Sequence, residues 1–275
     1  MLTAAILLAA TTASFDEVVA AERAFASASL RNGFHAAFVE HMAPDAIEFK
    51  PAPQPALASH ENQPRAKATL TWGPAWVAVS AAGDLALSTG PFEFRPDGPS
   101  LTGVASGEFM SVWRRQPDGT WKVAVDSGIG CPIKFAMPPS VENGSSTPAA
   151  HPPPRPSDAA NARLAITAQE RAVSAAAAAS VGDAIAKHVE PKARIYREGK
   201  LPGVGPEAAR ALLAADRRKL ACKPGQIVAS ASGDLGYAYG TCSGDKDGKP
   251  HDYGFLHVWR KQTDGTWRIL VDVTP

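Results

Sequence analysis

Tyr196, His257 and Asp272 are the residues of this sequence best suited to moving a proton. A phenol, an imidazole and a carboxylate together could serve an acid–base enzyme that needs no organic cofactor, such as an isomerase, dehydratase or hydrolase. In the first half of the chain the comparable polar groups are Glu48, Glu93, Glu108 and Asp126, with Trp76 as an apolar wall. The second half adds Tyr237 and Tyr239. Each candidate also has a plainer role. A carboxylate at the end of a last strand, such as Asp126 or Asp272, accepts backbone or arginine hydrogen bonds as readily as it takes a proton. His257 sits between Leu256 and Val258 and reads first as a hydrogen-bonded or solvated side chain. Trp113, Trp121, Trp259 and Trp267 alternate with other residues at period two and read as core or pocket wall. The seven histidines show no HxH or HxxxH spacing and the three cysteines no CxxC, so no metal is expected.

The elements that must position these groups occur twice. Phe109–Asp126 (FMSVWRRQPDGTWKVAVD) and Phe255–Asp272 (FLHVWRKQTDGTWRILVD) are identical at 11 of 18 positions at an offset of 146. Val79–Gly90 matches Ala229–Gly240 at six of 12 positions, at offset 150. Glu22-Arg23 matches Glu170-Arg171 at offset 148. The offset slips in loops, where insertions belong, so the chain is a tandem duplication. The polar candidates are not part of what repeats: Glu108 aligns with Gly254 and Ser111 with His257. A site shared by both copies would have kept its polar set in both, so one copy is catalytic or neither is.

The 275 residues are 45% hydrophobic and 20% charged, which excludes wholesale disorder. The net charge of +1 offers nucleic acid no basic stripe. Residues 15–137 hold 10 Lys/Arg against 13 Asp/Glu, and residues 159–275 hold 17 against 12. Between them, residues 138–158 carry seven prolines and read as a semi-rigid linker. Leu2–Ala10 is an apolar run too short for a bilayer, which needs roughly 20 residues. With Thr11-Thr12-Ala13-Ser14 after it, the run reads as a signal peptide over 1–14, although it lacks a basic n-region. The alternative is the start of a buried helix. The expectation is export to the periplasm or beyond, without a membrane span.

Each copy reads as helix, helix, strand, helix and four strands, an α+β order with helices on one face of a curved antiparallel sheet. Asp118-Gly119 and Asp264-Gly265 suggest type I′ hairpin turns. The order, and the phrase carried by Trp72-x-Pro74, Ser80, Gly83-Asp84-Leu85, Val112-Trp113-Arg114, Asp118-Gly119-Thr120-Trp121 and Asp126, resembles the nuclear transport factor 2-like superfamily, which includes ketosteroid isomerase and SnoaL-like cyclases. The resemblance covers nearly everything outside the signal and linker and implies two cone-shaped domains, 15–137 and 159–275, each enclosing a pocket. It implies that Glu48, Trp76, Glu93, Glu108, Trp113, Asp126, Tyr237, Tyr239 and Trp259 are pocket candidates. It says little of function, because that fold carries enzymes, binders and assembly modules alike.

The leading expectation is a protein that holds a small apolar or amphipathic molecule, without a cofactor, its two domains paired with each other or in a homodimer. The alternative is an acid–base enzyme using Tyr196, His257 and Asp272 in the second domain. The turn at Ala231–Asp234 makes facing residues sum to 464 or 465, which places Cys222 opposite Cys242 and predicts a disulfide between them. Cys131 is left over.

Overall fold

A computed structural model describes residues 2–98, 100, 102–145, 154–246 and 248–274, with backbone alone at 2–13 and 246. They form two compact units, residues 2–48 with 54–145 and residues 49–53 with 154–274.

The first unit opens with α1 (Leu2–Asn32) and α2 (Phe34–His41), separated by Gly33, whose φ of 88° an L side chain rarely adopts. Val18, Val19, Glu22, Phe25, Ala26 and Ser29 form the buried stripe of α1, at helical spacing. Next come β1 (Met42–Phe49), β2 (Pro53–Pro55), α3 (Ala56–His60), β3 (Thr69–Trp72), β4 (Trp76–Val79), β5 (Leu85–Arg95), β6 (Ala105–Arg115), β7 (Trp121–Gly130) and β8 (Glu142–Asn143). The sheet order is β2-β1-β7-β6-β5-β4-β8, with β3 also on β5. Within the proline-rich stretch, β8 runs parallel to β4.

The second unit repeats the plan with α4 (Pro156–Ala177), α5 (Val181–Ala186), β9 (Val189–Tyr196), β10 (Gly203–Val204), α6 (Pro206–Ala215), β11 (Ala221–Ala229), β12 (Leu235–Lys246), β13 (Lys249–Lys261) and β14 (Trp267–Val273). Its sheet order is β10-β9-β14-β13-β12-β11. Pro156 starts α4, and Arg155 and Asp158 close a capping box on it. The α+β tandem is as expected. Neither sheet is purely antiparallel: β1 joins β7, and β9 joins β14, in parallel. Among the described residues no helix is long and apolar enough to cross a membrane.

Two local expectations change, and a third is resolved. Asp118 and Asp264 do not have positive φ, as a type I′ turn requires. Each instead folds its carboxylate back onto Thr120 or Thr266 (backbone N–H at 3.0 and 2.9 Å) and leaves the positive φ to Gly119 or Gly265. The run Arg217-Arg218-Lys219 reads as closing the helix that Pro206 opens, its cations complementing the helix dipole, but α6 stops at Ala215 and Arg218 instead binds Asp216 and the Thr274 carbonyl. Near its turn the β11–β12 hairpin pairs Ala229 with Gly236, whose numbers sum to 465, and a bulge between Pro224 and Ile227 then changes the sum to 464.

That bulge sets Cys222 opposite Cys242, and the two are bonded with S–S 2.00 Å. The bond joins residues 20 apart, which on the chain-entropy model stabilises by about 3 kcal/mol. Thiol titration of denatured, unreduced protein is expected to count one thiol, that of Cys131, and reduction is expected to lower the unfolding midpoint. A count of three would remove the disulfide.

Candidate functional site

Side chains alternate across a strand, so the register decides which candidates can meet. In the first unit the helix-covered face takes Trp72 of β3, Val77 of β4, Ser88, Phe92 and Phe94 of β5, Phe109, Ser111 and Trp113 of β6, Asp126 of β7 and Glu48 of β1, matched by cross-strand pairing. Ser88, Ser111, Asp126 and Glu48 form one row across four strands.

Above this row is a cavity of about 220 Å³ lined by Phe25, Phe38, Leu70, Trp72, Phe92, Phe94, Phe109, Ser111, Asp126, Ser127 and Gly128. Gly107 has no Cβ, which would fall 2.7 Å from the Phe92 ring, and so Phe92 can lie across β6. At the floor the Ser111 hydroxyl donates to Asp126 Oδ1 at 3.1 Å. Behind the wall lies Glu22 of α1, fully buried, taking Trp72 Nε1–H on one oxygen (2.7 Å) and Trp113 Nε1–H on the other (2.8 Å). Burial pushes the Glu22 carboxyl up to about 7, against the lowering effect of the two indole hydrogen bonds. Glu48 is spoken for at both oxygens, by Gln54 at 2.9 Å and His60 at 3.1 Å.

The second unit places Ala238, His257, Asp272 and Ile195 in the equivalent row. There is almost no cavity above it, about 10 Å³ against Val173, Ile185, Cys222, Cys242, Phe255 and His257. The disulfide replaces Trp72 and Phe92, and His257 replaces Ser111. Glu170 takes Trp259 Nε1–H at 2.5 Å and His257 Nδ1–H at 2.9 Å. His257 Nε2 stands 3.3 Å from Asp272 Oδ1 without hydrogen-bond alignment, so that contact is ionic. Asp272 also faces Arg197 Nη1 at 2.6 Å and accepts the Thr274 hydroxyl at 2.7 Å. Arg197 continues to Asp216 at 2.6 Å. Burial by itself would lower the His257 imidazole, but Glu170 and Asp272 outweigh it and hold it up to about 9. For Asp272 burial works upward, and Arg197 and His257 overcome it to keep the carboxyl below the usual range.

Strand parity sorts the expected residues. Asp126 lines the first cavity. Trp113 and Trp259 share its side of their sheets but are buried behind the cavity wall as donors to Glu22 and Glu170. Trp76, Glu93 and Glu108 fall on the opposite face by register. Trp76 packs where a Gly144 Cβ would lie 2.0 Å away, and Glu93 pairs with Arg95 at 2.6 Å. Tyr237 and Tyr239 flank Ala238, the residue facing His257, and so point the other way; the Tyr239 hydroxyl donates to Gln226. Tyr196 follows Ile195, the partner of Asp272, and is turned from it in the same way. Thus Tyr196, His257 and Asp272 do not converge on a space that admits a substrate. Sequence reasoning missed Glu22, Glu170 and the phenylalanine wall. A repeated glutamate inside each buried helical stripe was the available signal.

The chain is therefore a tandem of two α+β units that differ in the space above their equivalent rows; a separate, polar cavity of about 450 Å³ in the second unit lies among Arg197, Asp216, Arg218, Asp245 and Tyr253. Among the described residues no cluster of three or more His, Cys, Asp or Glu is placed to hold a metal ion. No family model and no curated protein matches it. Solved structures that are similar include a ketosteroid isomerase-like protein from Erwinia carotovora atroseptica, at 16% identity over 41% of this chain and 93% of that one, TM-score 0.36. An NTF2-like protein of unknown function from Pseudomonas putida matches at 22% identity over 45% and 90%, TM-score 0.34. One with a cystatin-like fold from Novosphingobium aromaticivorans matches at 15% over 42% and 81%, TM-score 0.34. Each spans about the length of one unit, and at these scores the likeness brings no chemistry with it.

Proposed function

We propose that the first unit binds a small apolar or amphipathic molecule in its aromatic cavity, and that the equivalent place in the second unit is filled and structural. The observation that carries this is the contrast of about 220 Å³ with about 10 Å³ above equivalent rows of the same fold. A dry apolar cavity of about 150 Å³ already binds benzene, so the larger space suits a one-ring molecule with a short polar arm. The polar contribution comes from Ser111 and Asp126, which fix orientation while the rings supply contact area. Export from the cytoplasm is part of the same proposal, and the Cys222–Cys242 bond supports it, since such bonds persist in oxidising compartments.

Gly128 lines the cavity, and a Cβ there would make ordinary contact with Phe92 at 3.4 Å. Gly128→Val is therefore expected to fold and to obstruct the space. Titration of 2-phenylethanol into the full chain, followed by tryptophan emission, is expected to saturate, and the variant should bind at least tenfold more weakly. Absence of saturable binding, or equal binding by the variant, would refute the reading.

A further inference from the structure

We propose that the molecule held by the first unit is a cation, an aromatic or alicyclic compound carrying an ammonium group. The inference rests on the binding role of the first unit and adds the ligand's charge.

The lining contains six aromatic residues, Phe25, Phe38, Trp72, Phe92, Phe94 and Phe109, one acid, Asp126, and no lysine, arginine or histidine. Ring faces carry negative potential and attract a cation, more strongly where water is excluded. A carboxylate on the floor of such a box favours a positive ligand over a neutral one and penalises an anion, since a charge taken out of water needs a partner. His41 and His60 stack behind Phe25 and Phe38, at 5.0 and 4.4 Å between ring centroids, outside the lining.

The second unit shows what such a space does when the chain itself fills it. Its counterpart of Asp126 is Asp272, and the side chain at the counterpart of Ser111 is His257, set between Asp272 and Glu170 with its ring 4.7 Å from that of Phe255. An imidazole held between two carboxylates thus stands where the first unit has Ser111 below its cavity. In the first unit a bound ammonium would meet Asp126 and not Glu22, because Asp126 lines the cavity while Glu22 lies behind its wall, bonded to Trp72 and Trp113.

The test uses three probes sharing a phenylethyl group on the full chain at pH 7: 2-phenylethylammonium, 2-phenylethanol and 3-phenylpropanoate. The ammonium is expected to bind at least tenfold more tightly than the alcohol, and the carboxylate not measurably. Asp126→Asn is expected to bring the ammonium down to the level of the alcohol. Ser111→His, which installs the second unit's own ring beside Asp126, is expected to abolish the ammonium preference as well, so the proposal does not hang on the folding of one variant. Equal binding of ammonium and alcohol, or tighter binding of the carboxylate, would overturn the charge assignment and leave the cavity reading in place. Failure of all three probes would overturn both.

Discussion

Arg197→Met is expected to destabilise the second unit by about 3–5 kcal/mol, the usual cost of leaving buried charges without their partner. Arg197 is 5% exposed and stands 2.6 Å from both Asp272 and Asp216, themselves buried. Methionine fills a similar volume but strands the two carboxylates. Asp216 keeps Arg218 at 2.8 Å, whereas Asp272 keeps only His257 as a cation within the contacts above. Differential scanning calorimetry of the full chain should show a transition lowered by roughly 10–20 °C for a unit of this size. Adding Asp216→Asn and Asp272→Asn to the same chain should recover much of the loss, because it removes the stranded charge. A shift of a degree or two in the single variant would show that water reaches these groups and that the network is not buried in solution.

Stability is also expected to fall as pH rises from 5 to 9, in two separable steps. Glu22 is raised from 4.5 to about 7 in the folded chain, so the folded state holds its proton more tightly than the unfolded state. The stabilisation is complete below pH 4.5 and is lost as pH climbs through about 7, amounting to about 3 kcal/mol at one pKa unit per 1.36 kcal/mol. His257 is raised from 6.5 to about 9. Its contribution is complete below 6.5 and is lost as pH rises through about 9, with a similar ceiling of about 3 kcal/mol. Asp272 is held low by part of the same interaction, so its share is not additional to that of His257. Urea unfolding at pH 5, 7 and 9 should resolve the steps. Glu22→Gln should flatten the decline between 5 and 7, and His257→Ser, which copies the first unit, should flatten that between 7 and 9. Variant curves parallel to the parent would mean that neither group titrates in the folded core.

Much of the architecture could be read from residues alone, because it depends on local and periodic signals. Eleven identities in 18 residues announced two copies, and alternation in the last strands with helical stripes upstream announced α+β units. The cysteine pairing followed from counting outward from one hairpin turn. Yet the count left two registers open, and it was the bulge before Ile227 that chose between them. The site was less legible. Residue chemistry names candidates without placing them: the apolar Trp76 and the polar Glu93, Glu108, Tyr196, Tyr237 and Tyr239 lie on the far side of their sheets. Shifting by one residue along a strand reverses the face, so a correct strand with an unknown facing residue places side chains no better than chance.

Sequence by itself determined the duplication, the class of each unit, the disulfide partners to within one residue, and the divergence of polar groups between copies. Those follow from spacing along the chain, which needs no knowledge of what packs against what. Tertiary structure decided which copy keeps a cavity above its polar row. Above equivalent rows the first unit leaves about 220 Å³ and the second about 10 Å³, with His257 standing where the first has Ser111, and a volume is a property of side chains meeting from strands that are distant in sequence. It also decided that the repeated glutamates are buried acceptors for tryptophan, because only the packing of a helix across a sheet brings Glu22 to Trp72 and Trp113, and Glu170 to Trp259.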